Sequence, residues 1–166
     1  MNKLTVCAVV ISGAFATQVM ANPVAVQITA QNQAVCEVKG SALQLTVGSA
    51  ATTDSAASTQ LTMKCNDRQG ATVKLISQEG GLESDDAEDF AIAYKATFTP
   101  DGLEPLVLDA PGGFGTNNFE SAPKSYAGSE ALATGIDTTL EVNNTGTAVW
   151  AGGYSDTITI SITANN

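Results

Sequence analysis

The sequence predicts an all-β protein, an antiparallel β-sandwich. Apolar residues alternate with polar ones in many short runs, which is the two-residue period of strands with one buried face. Clusters of glycine, proline and asparagine separate these runs and supply turn chemistry. Two cysteines, placed to join two of the strands, complete the pattern, and no run shows a convincing helical period.

The N-terminal residues 1–21 have the organisation of a secretory signal peptide. Lys3 supplies the positive charge, an apolar run follows, and small residues ending at Ala21 form a cleavage site. We expect this segment to be removed, and the alternative is a retained N-terminal helix. Since no later apolar stretch approaches the roughly 20 residues of a membrane span, we expect no membrane span and a soluble mature chain outside the cytoplasm.

The expected strands follow in order along residues 22–166, a length typical of one domain. Their apolar positions are Val24, Val26, Ile28 and Ala30; Leu43, Leu45 and Val47; Leu61 and Met63; Val73 and Leu75; Ile92, Tyr94, Ala96 and Phe98; Leu103 to Leu108; Thr138 to Val142; and Ile158, Ile160 and Ile162. Residues 78–89 and 109–137 lack this pattern and are expected to be surface loops. The second is long enough to contain a weak strand or a functional loop.

The cysteines predict one disulfide. Cys7 falls within the predicted signal, so an exported chain keeps Cys36 and Cys65. An even pair in an exported protein is typical of a disulfide, and two free thiols are the alternative. The bond would join the first strand of the domain to the second.

Charge and composition exclude several functions. The chain has 7 basic and 17 acidic residues and a net charge of −10, so it repels nucleic acid and anionic lipid. It has no histidine, the commonest general base and metal ligand. It also has no glycine-rich phosphate loop. We therefore expect no enzyme activity, no metal and no cofactor.

Three local features have alternative interpretations. The acidic residues of 78–89 suggest calcium, but their spacing matches no EF-hand loop and indicates a solvated loop. A glycosidase would need two carboxyl groups facing each other in a cleft, whereas these acids cluster in turn-rich segments. Trp150 and Tyr154 belong either to the core or to a glycan-binding platform.

The last strand raises the question of what completes its sheet. Residues 154–164 predict one strand, with Ile158, Ile160 and Ile162 on one face and threonine and serine on the other. A strand this regular favours neighbours on both edges. The second neighbour comes either from the domain itself or from another chain.

These features together resemble a known family. The signal peptide, the alternating segment after it, the Cys36 and Cys65 pair and the terminal sequence AGGYSDTITISIT are similar to chaperone–usher fimbrial subunits, or pilins. The similarity is greatest to the spore-coat-U and archaic-pilus branch, which has this closing motif and this cysteine spacing. The resemblance implies an immunoglobulin-like sandwich over residues 34–166 that lacks its last strand. A hydrophobic groove would then lie beside the strand carrying Tyr154, Ile158, Ile160 and Ile162.

The resemblance also implies partners and a location. A periplasmic chaperone would fill the groove first, and at an outer-membrane usher the N-terminal extension of another pilin subunit would replace it. That extension is residues 22–33, whose Val24, Val26, Ile28 and Ala30 would enter successive pockets. The protein would then be a structural subunit of a fimbria on a Gram-negative cell surface, supporting adhesion or biofilm.

Two alternatives stay open. In the first, Val24 to Ala30 folds back as an ordinary first strand of its own domain. In the second, the protein is a self-contained secreted β-sandwich that binds a glycan or a host protein.

Overall fold

The structure is a computed structural model that describes residues 27–40, 46–53, 55–86 and 90–166. The predicted signal peptide, Val24, Val26, Leu43 and Leu45 lie outside the described residues. The chain divides into two units, Met1–Asn32 and Gln33–Asn166. In the first unit, residues 27–32 are exposed and lie in neither helix nor strand.

The second unit is all-β, and its antiparallel sheets pack as a sandwich, which confirms the predicted fold class. In chain order its elements are β1 (Cys36–Gly40), β2 (Ala56–Cys65), β3 (Ala71–Ser77), β4 (Leu82–Ser84), β5 (Phe90–Ile92), β6 (Tyr94–Pro100), β7 (Leu106–Ala110), β8 (Gly113–Phe114), β9 (Phe119–Glu120), β10 (Lys124–Tyr126), α1 (Glu130–Thr134), β11 (Ile136–Asn144), β12 (Tyr154–Ser155) and β13 (Ile158–Ala164).

The strands form three sheets. A five-stranded sheet has the order β1-β2-β11-β6-β7. The terminal sheet has the order β10-β3-β13, with β9 also pairing with β3. The small sheet has the order β12-β4-β5-β8.

The core lies between the five-stranded sheet and the terminal sheet. Alternate residues of each strand point inward, so Met63 and Phe98 from one sheet and Val73 and Leu75 from the other are fully buried. A fully buried aliphatic or aromatic side chain contributes about 1.5–3 kcal/mol. The alternation predicted for residues 73–75 and 94–98 therefore describes core-facing strands, whereas Ile92, predicted in the same run, lies in β5 of the small sheet.

The disulfide between Cys36 and Cys65 joins residues that are directly paired in β1 and β2. This confirms the predicted bond between the first and second strands of the domain. Among the described strands β1 lies at the end of the five-stranded sheet, so the disulfide attaches it to the one described strand with which it pairs in that sheet.

Residues 109–137 are more ordered than the sequence predicted. They contain β8, β9, β10 and a helix of five residues, α1, so the expectation of a surface loop is wrong for much of this stretch, and the alternative of a weak strand within it is confirmed. The Ser129 hydroxyl caps α1 by accepting a hydrogen bond from the Leu132 backbone N–H at 3.1 Å. The Leu132 side chain is buried in the core, which fixes a helix too short to be stable alone.

Candidate functional site

The last strand of the terminal sheet is paired on one side. β13 pairs with β3 along its whole length, from Ile158 opposite Ser77 to Ala164 opposite Ala71. Among residues 27–40, 46–53, 55–86 and 90–166, no strand pairs with its other side. We call this unpaired side of β13, with its apolar face, the open edge.

The apolar face of the open edge is incompletely covered. Its side chains pack against the core but are only half-buried: Ile158, Ile160, Ile162 and Ala164. In the neighbouring strand β3, by contrast, the inward residues Val73 and Leu75 have no exposed surface. Apolar surface that stays in contact with water favours an occupant that would remove it.

The other border of this region is β1. β1 approaches β13 in space, although the two strands belong to different sheets and do not pair. Its Val38 is half-buried and packs against the core in the same way as the isoleucines of β13. Two edge strands, one from each sheet, therefore border a strip of half-buried apolar side chains.

The C-terminal end of β13 is held in place by Asn165. Its backbone N–H donates to the Gly70 carbonyl at 3.0 Å, and its Oδ1 accepts from the Thr72 hydroxyl at 2.7 Å. Its Nδ2 donates to the Gln69 carbonyl at 3.3 Å. These contacts fix the strand at the turn that precedes β3.

The N-terminal end of β13 is held in place by Asp156. Oδ2 accepts hydrogen bonds from the hydroxyls of Ser77 and Tyr94, the second at 2.6 Å. Oδ1 accepts from the backbone N–H groups of Glu79 at 3.0 Å and Thr157 at 2.6 Å. Since Ser77 lies in β3 and Tyr94 in β6, one carboxylate connects both large sheets to the start of β13.

The surroundings of Tyr94 in this cluster change the pKa of its hydroxyl. The side chain is buried, which raises the pKa of its hydroxyl well above the ordinary range, and the hydrogen bond to Asp156 raises it further. Tyr94 is therefore a neutral hydrogen-bond donor at physiological pH.

The predicted strand over residues 154–164 is in fact two strands. Tyr154 and Ser155 form β12, which pairs with β4 in the small sheet, whereas Ile158, Ile160 and Ile162 lie in β13. Asp156 and Thr157 separate the two strands, because the Asp156 carboxylate accepts hydrogen bonds from Ser77 of β3 and Tyr94 of β6. Tyr154 therefore does not belong to the open edge, and its hydroxyl donates to the Trp150 carbonyl at 3.0 Å.

Gly153 shows why the closing motif has glycine at this point. A side chain at this position would collide with the carboxylate of Asp85. The Asp85 backbone N–H donates to the Gly153 carbonyl at 2.9 Å, and the Ser155 hydroxyl donates to Asp85 Oδ1 at 2.9 Å. The motif therefore first attaches the chain to the small sheet and then starts β13.

Two of the four predicted donor residues are described. Ile28 is 90% exposed, and Ala30 is also exposed. Neither lies in a helix or a strand. Val24 and Val26 lie outside the described residues.

The sequence did not indicate Val38, Ala164 or the role of Asp156. The Asp156 position was visible within the motif GGYSDT, but its partners Ser77 and Tyr94 are far away in the chain. In the described part of the chain, no group of three or more histidine, cysteine, aspartate or glutamate residues is placed to hold a metal ion.

Comparison with known proteins gives no identification. The chain matches no protein-family model, and a search of curated proteins finds no significant relative. Within the described residues, no helix has the length and apolar character needed to cross a membrane.

Proposed function

We propose that this protein is a structural subunit of a surface fibre assembled by donor-strand complementation. One subunit's residues 22–33 would add a strand to the open edge of the next subunit. The observation that carries the proposal is the side of β13 that no described strand pairs with, together with the half-buried isoleucine face of that strand. This edge offers both unpaired backbone groups and apolar surface to an added strand.

The N-terminal segment has the properties of the donor. Val24, Val26, Ile28 and Ala30 alternate with polar residues, so one face of an extended segment would be apolar. Ile28 is exposed outside any strand, which suits a segment that becomes ordered on another subunit. This exposure also favours the donor role over a strand that completes its own domain.

The free energy gained by burying the donor side chains is large enough to drive such assembly without an external energy source. Burial contributes about 1.5–3 kcal/mol for each large aliphatic side chain, so the three large donor residues would contribute roughly 5–9 kcal/mol and Ala30 less than any of them. Backbone hydrogen bonds to β13 would set the register. Because the donor and the acceptor are different surfaces of one chain, the contact repeats into an open filament.

Such assembly requires a compartment outside the cytoplasm and two assembly partners. The subunit would be exported through the periplasm of a Gram-negative bacterium, with a chaperone covering the open edge until an outer-membrane usher adds the next subunit. The fibre would support adhesion or biofilm. The Cys36–Cys65 disulfide fits an oxidising compartment.

A pair of matched variants tests the proposal. Ile28→Asp places a charge on the apolar face of the donor segment, whereas Thr29→Asp places the same charge on the opposite face. Electron microscopy of expressing cells should show fibres for the wild type and for Thr29→Asp, and none for Ile28→Asp. Normal fibres from Ile28→Asp would contradict the donor assignment.

A further inference from the structure

The small sheet presents a row of aromatic side chains. Tyr154 pairs with Ser84 across β12 and β4, and Phe90 pairs with Phe114 across β5 and β8. Across β4 and β5, Glu83 pairs with Ala91, so the next position in that register places Ser84 opposite Phe90. Directly opposed residues of antiparallel strands point to the same face. Tyr154, Ser84, Phe90 and Phe114 therefore share one face.

The row is long and has an exposed ring at or near each end. It crosses four strands, so its ends are separated by three strand spacings, or about 14 Å. Phe114 is 71% exposed and stacks edge to face on Phe90, with 5.2 Å between ring centroids. At the opposite end the Tyr154 hydroxyl binds the carbonyl of Trp150, whose side chain is 68% exposed.

Among the described carboxylates around the small sheet, few lie on the aromatic face. Glu83 pairs with Ser155 and therefore points to the other side of the small sheet. Asp85 accepts a hydrogen bond from that same Ser155. The Asp86 carboxylate lies near the Trp150 end, close enough to contact a side chain placed at Gly152. The face is thus rich in rings and has a carboxylate at one end.

The charge of this region excludes anionic ligands. Residues 78–92, 111–123 and 145–157, which contain the small sheet and its connections, include no lysine or arginine. Sulfated or carboxylated glycans would find no cation here and would be repelled by the acidic chain.

We propose that the aromatic face of the small sheet binds a neutral, extended β-linked polysaccharide. The C–H faces of sugar rings would stack on the exposed rings of Trp150 and Phe114, with Phe90 supporting Phe114 edge to face, and sugar hydroxyls would donate to the carboxylate of Asp86. A row about 14 Å long suits an extended chain more than a compact ligand. A basic peptide would require several carboxylates among the rings, and of the carboxylates that the structure describes in this sheet and the turn after β4, Glu83 and Asp85 lie on the other side. This inference does not rest on the proposed fibre assembly.

Isothermal titration of the purified full chain with cellohexaose and chitohexaose tests the proposal. We expect the wild type to bind at least one of them, with an affinity unchanged by about 0.5 M NaCl because no charge pair forms. Trp150→Ala and Phe114→Ala should each weaken that binding about tenfold or more. Since both side chains are mostly exposed, the melting temperature of each variant should match the wild type.

Val149→Ala is the matched control, because Val149 is 78% exposed and apolar but carries no ring. Its binding should equal that of the wild type. Equal loss in Val149→Ala would indicate non-specific apolar adhesion and overturn the proposal. The absence of binding to both sugars would also overturn the proposal. The same holds if neither sugar binds and oligolysine binds in a salt-sensitive way that is lost in Trp150→Ala.

Discussion

The hydroxyl of Tyr94 donates a hydrogen bond to the carboxylate of Asp156 across 2.6 Å, joining the core of the five-stranded sheet to the two-residue link between β12 and β13. The same carboxylate receives the Ser77 hydroxyl and two backbone N–H groups. The position of the open edge therefore depends on a polar cluster at its beginning.

Removing this carboxylate should destabilise the fold. Asp156→Ala leaves buried donors without a partner and should lower the free energy of unfolding by about 3 kcal/mol. Tyr94→Phe removes one donor and should cost about 1.5 kcal/mol. Urea unfolding of both variants and of the double variant should show losses that are less than additive by about 1 kcal/mol. Strict additivity would contradict the contact.

Asp109→Ala is the control for this series, because Asp109 lies exposed on β7. It should change the free energy of unfolding by less than about 0.5 kcal/mol. A comparable loss from Asp109→Ala would show that net charge, and not the cluster, sets the stability.

Alkaline pH should destabilise the protein through two tyrosines. Burial raises the pKa of Tyr126 from 10.0 to about 12, and it raises the pKa of Tyr94 further. Above pH 10 the unfolded chain loses these protons while the folded chain keeps them, so the unfolded state binds fewer protons and stability falls as pH rises. Between about pH 10 and 12, the melting temperature should fall less steeply for Tyr126→Phe than for the wild type. Parallel curves would contradict the assignment.

The disulfide should contribute substantially to stability. Closing a loop between Cys36 and Cys65, which are 29 residues apart, is worth about 3.5 kcal/mol in the chain-entropy model. The double variant Cys36→Ala and Cys65→Ala should therefore unfold at a lower urea concentration than the wild type. An unchanged midpoint would show that pairing between β1 and β2 is sufficient without the bond.

The isoleucine face of β13 should control self-association. Ile160→Asn places an amide on the half-buried face, whereas Thr159→Asn places it on the exposed face. Size exclusion with light scattering should show multimers for the wild type, Thr159→Asn and the conservative Ile160→Val, but not for Ile160→Asn. Equal multimer content in Thr159→Asn and Ile160→Asn would place the association elsewhere on the molecule.

Alternation in the sequence was enough to predict the core strands. The apolar positions around Val73, Phe98 and Ile160 face the core as their two-residue period indicates, because one buried face dictates which side chains must be apolar. The disulfide was also predictable, since the chain without its expected signal keeps two cysteines.

Other features depend on long-range contacts that no local pattern encodes. The break between Ser155 and Ile158 exists because Asp156 binds side chains from β3 and β6, which are distant in the chain. Strands of two or three residues such as β8 and β9 are too short to show a period. The same holds for α1, which depends on the buried side chain of Leu132.

The most direct test of the fibre proposal is strand complementation in solution. A variant lacking residues 22–33 would be mixed with a synthetic peptide of those residues, and with the same peptide carrying Ile28→Asp. We expect a monomeric variant whose melting temperature rises by about 10 °C or more with the native peptide and stays unchanged with the charged one. A truncated protein that melts like the full chain and binds neither peptide would show a self-sufficient sandwich and rule out donor-strand complementation.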